Sequence, residues 1–371
     1  MFEAWHPEAM AENTLRHAKT VRRTFELHLL PQVGAVPVLD VKPENLRKVV
    51  KGLVECGKVS TAISLYISTR AMFTWAGKRR PWRLLFEVSP VEEVDISRLL
   101  PAGYQDWSER VLSDGEIIEL RNRLETIRNT WDLHEGPRRG RIATPMSREH
   151  VLAVWVMLAT LARVNEICAA RWVHVDFSKA DLVHSPEQAK NGKEFTIHLS
   201  RFALRLLREL HAVTGHMPFV LPHPRDETSP VTTYMLQCAI SDRQSWGKRK
   251  KQKSGLAEAT ARSLILPGGA WSCHDLRRTG ATLMQVCGFE ERIVDRCLNH
   301  SVTTQARRQG INPRLLRTYQ KHDYENEMRA AWAALGDYLM SLDGALTQIA
   351  GPDAIDVAND DTAELPQIEA A

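Results

Sequence analysis

A histidine and an arginine, His274 and Arg277, stand three residues apart near the start of an amphipathic segment, residues 271–288. In a helix, side chains three apart project from the same face, and the first turn has unpaired backbone N–H groups that favour an anion. A phosphate group suits such a place. A solvated basic helix end has the same residue types, so this pair alone leaves both interpretations open.

The segment that contains this pair has the start and stop signals of a helix. Ser272 can cap the first turn together with Asp275, and Gly288 follows the last apolar residue. One face is apolar at the helical period and is predicted to enter a core: Leu276, Gly280, Leu283, Met284 and Cys287. The opposite face is predicted to hold His274, Arg277 and Arg278.

A second arginine follows an apolar helix. This helix is predicted from about residue 148 and ends at Arg163. The charge of Arg163 is either paired by Glu166 or available to an anionic ligand, and the sequence leaves the choice open.

Short β-like stretches follow at 172–177, 181–184 and 195–199. Lys190 lies between the last two, beside an Asn-Gly dipeptide, which is the strongest short hairpin signal. A lysine beside a turn is commonly only solvated. Amphipathic helices are predicted at 201–214 and, from about residue 326, through Met328, Trp332, Leu335, Leu339 and Leu342.

His300 follows a short predicted helix that contains Ile293, Val294, Cys297 and Leu298. A histidine in this position is either a cap at the helix C-terminus or a residue that takes part in chemistry.

The first part of the chain, residues 13–82, is predicted to form three helices. The first buries Val21, Phe25 and Leu29, and the second opens at Pro43. The third spans 60–77 and is predicted to bury one face, formed by Ile63, Ile67, Ala71 and Trp75. Basic residues here and in a later run are either DNA-backbone contacts or solvated surface: Arg22, Arg23, Lys78, Arg79, Arg80, Lys248, Arg249 and Lys250.

Composition describes a soluble globular protein of two or three domains, with 371 residues, 43% hydrophobic and 25% charged. No apolar run reaches membrane-spanning length, and the start lacks the layout of a secretory signal, so a cytoplasmic location is predicted. The six cysteines form no C-x-x-C pair, and neither a disulfide nor a zinc site is predicted.

The net charge of +4 conceals an asymmetry. Residues 351–371 contain six acidic residues and no lysine or arginine, so the rest of the chain has a net charge of +10. Such an excess suits a polyanionic partner, although many basic cytosolic proteins bind no nucleic acid. The acidic tail is predicted to be disordered.

The polar residues singled out above, followed by a tyrosine, stand in an order that resembles the tyrosine recombinases, the integrase family of phages and genomic islands. The matching stretches are TLARVNEICAARWVHVDF with Arg163, AKNGKEFTIHLS with Lys190, HDLRRTGAT with His274 and Arg277, CLNH with His300, and TYQKHDY with Tyr319. Within residues 20–82, LPQVG and MFTWAGKR resemble the helical core-binding domain of this family.

The resemblance implies a mainly α fold with a small antiparallel β-sheet. It implies a helical DNA-binding domain at residues 1–95, a linker at 96–112, a tyrosine-recombinase catalytic domain at 113–345 and the acidic tail at 346–371. The partner implied is double-stranded DNA, bound by a homotetramer in the nucleoid, and a DNA-bending host factor or an excisionase is a candidate partner. The helix from residue 326 is a candidate either for packing on its own domain or for exchange between neighbouring protomers.

The family also implies a role for each residue. Arg163 and Arg277 would clamp the non-bridging oxygens of a phosphodiester, and Tyr319 would attack it to form a 3′-phosphotyrosine and release a 5′-hydroxyl. Lys190 would protonate the leaving oxygen, and His274 and His300 would assist by hydrogen bonding and proton transfer. No cofactor and no divalent metal are implied, because the arginines supply the positive charge. The expected activity is integration or excision of a mobile element.

Two departures from the family pattern matter. Tyr319 follows His300 by 19 residues, against roughly ten in the family, and SVTTQARRQGINPRLL contains an apparent insertion. Tyr324 is therefore a rival nucleophile, although Tyr319 fits the island-integrase pattern better. No arm-site-binding segment precedes the core-binding region, so the protein either works without one or is a shortened form.

Two other functions stay open at this point. One is a nicking-closing enzyme of the type IB topoisomerase kind, which uses the same tyrosine chemistry without exchanging strands between partners. The other is a DNA-binding regulator that keeps the fold without catalysis. The two-domain resemblance favours recombination over the first, and the presence of all six reactive residues argues against the second.

Overall fold

The computed structural model describes residues 1–105, 109–135, 142–185, 194–244, 258–300 and 324–342. The chain divides into two units, Met1–Ser108 and Glu109–Ala371, and each has its own hydrophobic core. The boundary between the units falls within the predicted linker, residues 96–112. DNA binding by the first unit and catalysis by the second stay predictions. Within the described ranges, no helix combines the length and the apolar character that crossing a membrane requires.

The first unit is helical, with α1 Phe2–Ala9, α2 Leu15–Thr24, α3 Leu30–Val33, α4 Pro43–Glu55 and α5 Val59–Ala76. A π-helical turn, Phe25–Leu29, joins α2 to α3, and short 3₁₀ turns lie at Val38–Asp40, Trp82–Leu84 and Ile96–Arg98. Pro31 has no N–H group to complete an α-helical hydrogen bond, and the helix widens just before it. Val21, Phe25 and Leu29 are buried, which confirms the predicted face of the first helix.

Helix α1 lies in a region where no helix is predicted. Phe2 and Trp5 are 6% and 2% exposed, and their rings lie 4.7 and 5.6 Å from the ring of Phe25. The helix has only eight residues and contains Pro7, so its own sequence is a weak helix signal. Its position depends on burying aromatic surface against Phe25 in the π-helical turn, a contact that no local pattern shows.

The buried face of α5 differs from the prediction, which placed Ile63, Ile67, Ala71 and Trp75 in the core. The structure leaves Ile67 60% exposed and Ala71 exposed. It buries a neighbouring face instead, formed by Ala62, Leu65, Thr69, Met72, Phe73 and Ala76. The prediction was wrong because both faces contain apolar residues at helical spacing, and periodicity cannot rank two such faces.

The second unit is mainly α-helical with two small antiparallel sheets, which confirms the predicted fold class. Its helices in the described ranges are α6 Asp114–Asp132, α7 Arg148–Thr160, α8 Val164–Ala169, α9 Arg201–Thr214, α10 Thr233–Ser241, α11 Glu258–Ala261, α12 Cys273–Val286, α13 Glu291–Cys297 and α14 Glu325–Ser341. Helices α9 and α12 lie where the sequence predicts them.

The larger sheet has three antiparallel strands in the order β1 Val175–Asp176, β2 Asp181–His184 and β3 Phe195–His198. Leu182 lies opposite Ile197, as expected for a hairpin between β2 and β3. The predicted first strand, 172–177, is shorter in the structure, because Trp172–His174 forms a 3₁₀ turn. The smaller sheet pairs β4 Pro222–His223 with β5 Asp226–Pro230.

Helix α14 packs in the core of its own unit, against α7, α9, α12 and α13, and its exchange between protomers stays a prediction. Trp332 is fully buried and donates a hydrogen bond of 3.1 Å to the Thr160 carbonyl oxygen. Arg329 lies 3.1 Å from Asp181, which also binds Nδ1 of His198 at 2.7 Å. These polar contacts join α14 to strands β2 and β3.

The two apolar faces of α5 provide a direct test of this packing. We expect Leu65→Ala to lower the free energy of unfolding by about 2–5 kcal/mol, because it leaves a cavity in the core. Ile67→Ala on the same helix should change it by no more than about 0.5 kcal/mol, because Ile67 is mostly exposed. Urea unfolding of the full chain, followed by circular dichroism, measures both. An Ile67→Ala effect as large as that of Leu65→Ala would mean that the predicted face is the buried one.

Candidate active site

The start of α12 is fixed by the predicted capping pair. The Ser272 hydroxyl accepts a hydrogen bond from the Asp275 N–H, and Asp275 accepts one of 2.9 Å from the Ser272 N–H. Arg278 donates to Asp275 at 2.5 Å. Because these contacts set the first turn, the positions of His274 and Arg277 follow from the helix geometry.

Arg277 is buried, whereas the sequence placed it on the polar face opposite the core. Its residue exposure is 5%, and its guanidinium donates hydrogen bonds to the carbonyl oxygens of Leu161 and Leu298. Burial, with the positive charge of Arg163 as a smaller cause, lowers the pKa of Arg277 to about 10. The side chain is therefore a buried cation at neutral pH.

Arg163 begins a helix, whereas the sequence predicted that it ends one. Helix α7 ends at Thr160, and Arg163 is the N-cap residue of α8. Its guanidinium donates to Glu166 at 2.7 Å and to the Leu298 carbonyl oxygen at 3.2 Å. The side chain is 26% exposed, so Arg163 is the more accessible of the two arginines.

Glu166 balances both arginines. One carboxylate oxygen accepts from the Arg163 guanidinium, and the other accepts from the Arg163 backbone N–H at 2.7 Å and lies 3.9 Å from Arg277. Burial raises the pKa of Glu166, but the hydrogen bonds from Arg163 and the charges of both arginines outweigh it and hold the pKa below its usual value. Of the two predicted alternatives for Arg163, the ion pair is present, and the guanidinium is also partly accessible.

The backbone around Leu161 allows α7 and α12 to approach closely. Leu161 has φ +58°, a left-handed conformation that is unfavourable for leucine, and its carbonyl oxygen accepts from Arg277. Its side chain packs against Gly280, where a Cβ atom would lie 2.6 Å from the Leu158 carbonyl oxygen. Gly280 is thus required for the distance between these helices, which sets where Arg277 meets Leu161.

The end of α13 supplies the remaining contacts. Leu298 follows the helix and gives the carbonyl oxygen that both arginines bind. Asn299 has φ +46°, and after this left-handed turn Nδ1 of His300 lies 2.8 Å from Oδ1 of Asp295. The structure therefore brings Arg163, Arg277 and His300 to one place.

His274 lies at the rim of this group. It is exposed, and its pKa is lowered by partial burial, then by the charges of Arg278 and Arg277 and, more weakly, of Arg163. The neutral imidazole is favoured near pH 7, so His274 can accept a proton.

Five of the predicted site residues lie outside the described residues: Lys190, Tyr319, Lys248, Arg249 and Lys250. The rival tyrosine, Tyr324, is described. It is the N-cap residue of α14 with φ +61°, and its ring centroid lies 5.5 Å from the guanidinium of Arg292 and 5.2 Å from that of Arg296. Tyr324 therefore packs against α13.

The predicted DNA-binding residues of the first unit fall into two groups. Arg22 forms two hydrogen bonds with Glu3, at 3.0 and 2.9 Å, and Arg79 binds Glu8 and lies over the ring of Trp75. Arg23, Lys78 and Arg80 are exposed. The first two are held by internal ion pairs, and the other three present their charge to solvent.

The sequence did not reveal three contributors to the site: the carbonyl oxygens of Leu161 and Leu298, and the Asp295 side chain. Backbone acceptors leave no mark in a residue pattern. Asn299 was a usable signal, because asparagine tolerates a left-handed turn that reverses the chain after a helix.

The charge balance at Glu166 predicts a dependence of stability on pH. Glu166→Gln should lower the free energy of unfolding at pH 7 by about 3 kcal/mol, because the buried Arg277 and the partly buried Arg163 lose their counter-charge. The folded-state pKa of Glu166 is lowered, so its contribution is complete above the unfolded-state pKa of about 4.3 and is lost as the pH falls through the folded-state pKa. The difference between wild type and variant should therefore be largest above about pH 5 and should shrink in acid.

Urea unfolding at several pH values measures this difference. Glu119→Gln is the matched control, because the Glu119 side chain is 40% exposed in its pair with Arg123. That variant should change stability by no more than about 1 kcal/mol. A Glu166→Gln effect that is the same at every pH would contradict the proposed charge balance.

Comparison with known proteins matches both units. Residues 139–308 match the model of the phage integrase family, and residues 1–81 match that of the phage integrase central domain. The prophage integrase IntA of Escherichia coli (strain K12) is 20% identical over 336 residues, which are 90% of this chain and 68% of that protein. The integrase of Enterobacteria phage P4 is 23% identical over 277 residues, which are 71% of this chain and only 57% of that relative.

The fold has a counterpart among solved structures. A crystal structure of a lambda integrase tetramer bound to a Holliday junction aligns with a TM-score of 0.57 at 14% identity, over 83% of this chain and 76% of that one. The two matched regions together cover most of the chain and include Arg163, His274, Arg277 and His300. The chain thus belongs to the phage integrase family of tyrosine site-specific recombinases.

Proposed function

We propose that this chain cuts and rejoins DNA through a 3′-phosphotyrosine intermediate and so integrates or excises a mobile element. The observation that carries the proposal is the pair of guanidinium groups. Arg163 and Arg277 bind the same carbonyl oxygen, that of Leu298, and share the carboxylate of Glu166. Two adjacent cations held in this way match the two non-bridging oxygens of a phosphodiester.

The arginines would act on the charge that develops during attack. As a nucleophile adds to phosphorus, negative charge gathers on the non-bridging oxygens, and planar guanidinium groups meet them with charge-assisted hydrogen bonds. Arg277 stays cationic at neutral pH with its pKa of about 10. Both groups are already oriented by protein acceptors, so little reorganisation is needed when the phosphate binds.

The covalent step assigns roles to the remaining residues. The phenolic oxygen of Tyr319 bonds to phosphorus, and the bond from phosphorus to the 5′ oxygen breaks. Lys190 gives a proton to that oxygen, while the tyrosine proton passes to a histidine of the site, His274 or His300. Attack by a 5′-hydroxyl of another strand reverses the step, so rejoining needs no ATP. The roles of Tyr319 and Lys190 rest on the resemblance in sequence.

The position of Tyr324 supports Tyr319 as the nucleophile. The Tyr324 ring packs against two guanidinium groups of α13, and its backbone starts α14. An attack by Tyr324 would have to proceed from this packed position or disrupt it.

The outer face of α5 supports DNA binding by the first unit. Ile67, Arg70, Ala71, Thr74 and Lys78 are all exposed on this helix or just beyond it. A surface that combines small, apolar, hydroxyl and basic side chains suits contact with both the bases and the backbone of DNA. Arg79 lies on the same face and is paired there with Glu8. The exposed Arg23 and Arg80 are further candidates for DNA contact, whereas Arg22 would have to leave its ion pair with Glu3.

The proposed assembly is a homotetramer on two duplexes, and the lambda integrase neighbour is a tetramer bound to a Holliday junction. Two kinds of partner, a DNA-bending host factor and an excisionase, remain proposals, as does a location in the nucleoid. Exchange of helix α14 between protomers stays part of this proposal, and in the single chain its apolar face is buried in its own unit.

Covalent trapping tests the chemistry and the nucleophile. Nicked duplexes that tile the DNA on both sides of the gene are incubated with wild type, Tyr319→Phe and Tyr324→Phe, and covalent complexes are separated on a denaturing gel. We expect a band with wild type and Tyr324→Phe and none with Tyr319→Phe, because only the Tyr319 hydroxyl bonds to phosphorus.

Each other result has a definite meaning. Loss of the band only with Tyr324→Phe would move the nucleophile by five residues, and bound duplex without any band would favour the non-catalytic DNA-binding function. Relaxation of supercoiled DNA without strand exchange would favour the topoisomerase-like function.

The salt dependence of DNA binding tests the surface of the first unit. Lys78→Gln should reduce the slope of log affinity against log salt by about 0.9, because one released counterion is lost. Lys51→Gln is the matched control, since Lys51 is exposed on α4 and lies 3.8 Å from Glu55. Unchanged slopes for both Lys78→Gln and Arg70→Gln would rule out this face of α5.

A further inference from the structure

The end of α13 is closed by backbone hydrogen bonds in a way that places His300. The Asn299 N–H donates to the Arg296 carbonyl oxygen at 2.8 Å, and the His300 N–H donates to the Asp295 carbonyl oxygen at 3.1 Å. With Asn299 in the left-handed region, this is the Schellman closure of a helix. It turns the chain back, so that His300 lies over the last turn of its own helix.

The turn brings the imidazole of His300 onto a buried carboxylate. Nδ1 of His300 lies 2.8 Å from Oδ1 of Asp295, whose side chain is 8% exposed, against 26% for His300. The backbone bonds already cap this helix end, so capping does not require the carboxylate. Burying a carboxylate costs free energy unless a partner compensates, and His300 is such a partner.

We propose that Asp295 is a positioning residue for His300: it holds the ring with the proton on Nδ1, so that Nε2 is the nitrogen that exchanges a proton at the reacting phosphate. An ionised carboxylate only accepts hydrogen bonds, so Nδ1 must be the donor in this pair. The inference rests on the proposed function, because it assigns the part that His300 plays in that reaction.

The same turn connects this pair to the arginines. Leu298, two residues before His300, gives the carbonyl oxygen that Arg163 and Arg277 bind. These two cations oppose a positive charge on His300, whereas Asp295 favours it. The carboxylate thereby offsets part of the effect of the two cations on the imidazole.

A double-mutant cycle tests whether Asp295 acts through His300. The rate of covalent complex formation on the nicked duplex is measured for wild type, Asp295→Asn, His300→Gln and the double variant. Asp295→Asn should slow the reaction by about 10–100-fold in wild type and by less than about twofold in the His300→Gln background. Asp337→Asn on α14, with a side chain that is 55% exposed, is the matched control and should leave the rate unchanged.

The pH profile gives a readout that a purely structural role would not change. In the plot of the rate of covalent complex formation against pH, the change in rate that is absent from His300→Gln reports the protonation of His300. In Asp295→Asn this change should occur about one pH unit lower, because the loss of the carboxylate charge disfavours the imidazolium. The positioning role would be overturned if Asp295→Asn slowed the reaction equally in wild type and in His300→Gln and left the His300-dependent change at the same pH.

A measurement without DNA separates this inference from the proposed function. In ¹⁵N-histidine spectra of the full chain, the signal that His300→Gln removes should show a protonated Nδ1 in wild type and a changed tautomer or pKa in Asp295→Asn. If wild type captures no duplex while this signal is as expected, the proposed function fails and only the hydrogen bond stands. If wild type captures DNA and Nδ1 is not protonated, the inference alone fails.

Discussion

Two guanidinium groups lie side by side at a mostly buried position, and the structure of the second unit depends on this constraint. Like charges repel strongly where water is excluded, and each cation loses hydration on burial. The repulsion is offset by one shared carboxylate, Glu166, and by the carbonyl oxygens of Leu161 and Leu298. These acceptors belong to two separate stretches of chain, residues 161–166 and the end of α13, and Arg277 belongs to a third, so the cations can lie together only when these parts of the unit are folded.

The acceptors are available because they lie at helix ends. Carbonyl groups in the last turn of a helix have no partner within the helix, and those near α7 and α13 are used here to bind arginines. Each end also needs a backbone turn that L-residues adopt reluctantly, at Leu161 and at Asn299. The close contact at Gly280 brings α12 against the first of these turns. The strained turns and the close packing therefore both help to position the carbonyl oxygens that bind the two arginines.

The sequence predicted the local structures that depend on neighbouring residues. It did not predict burial where contacts with residues far along the chain determine it. The Ser272–Asp275 cap, the β2–β3 pairing and helix α9 all follow from short patterns, and the structure has them. The burial of Arg277 could not be predicted, since a helical pattern ranks residues by polarity and does not include acceptors more than 100 residues away. Likewise, α5 has two apolar faces, and only packing against its own unit selects one of them.

The charges at the site define what it can bind. Arg163 and Arg277 bring two positive charges, Glu166 brings one negative charge, and Arg278 is paired separately with Asp275. Taken by themselves, Arg163, Arg277 and Glu166 leave one positive charge, which faces the single negative charge of a phosphodiester, while the Asp295 carboxylate lies against His300. Attack at phosphorus then adds negative charge beyond what the arginines balance. In the proposed reaction, the proton exchanged at His274 or His300 compensates that addition, which explains why histidines must accompany the paired arginines.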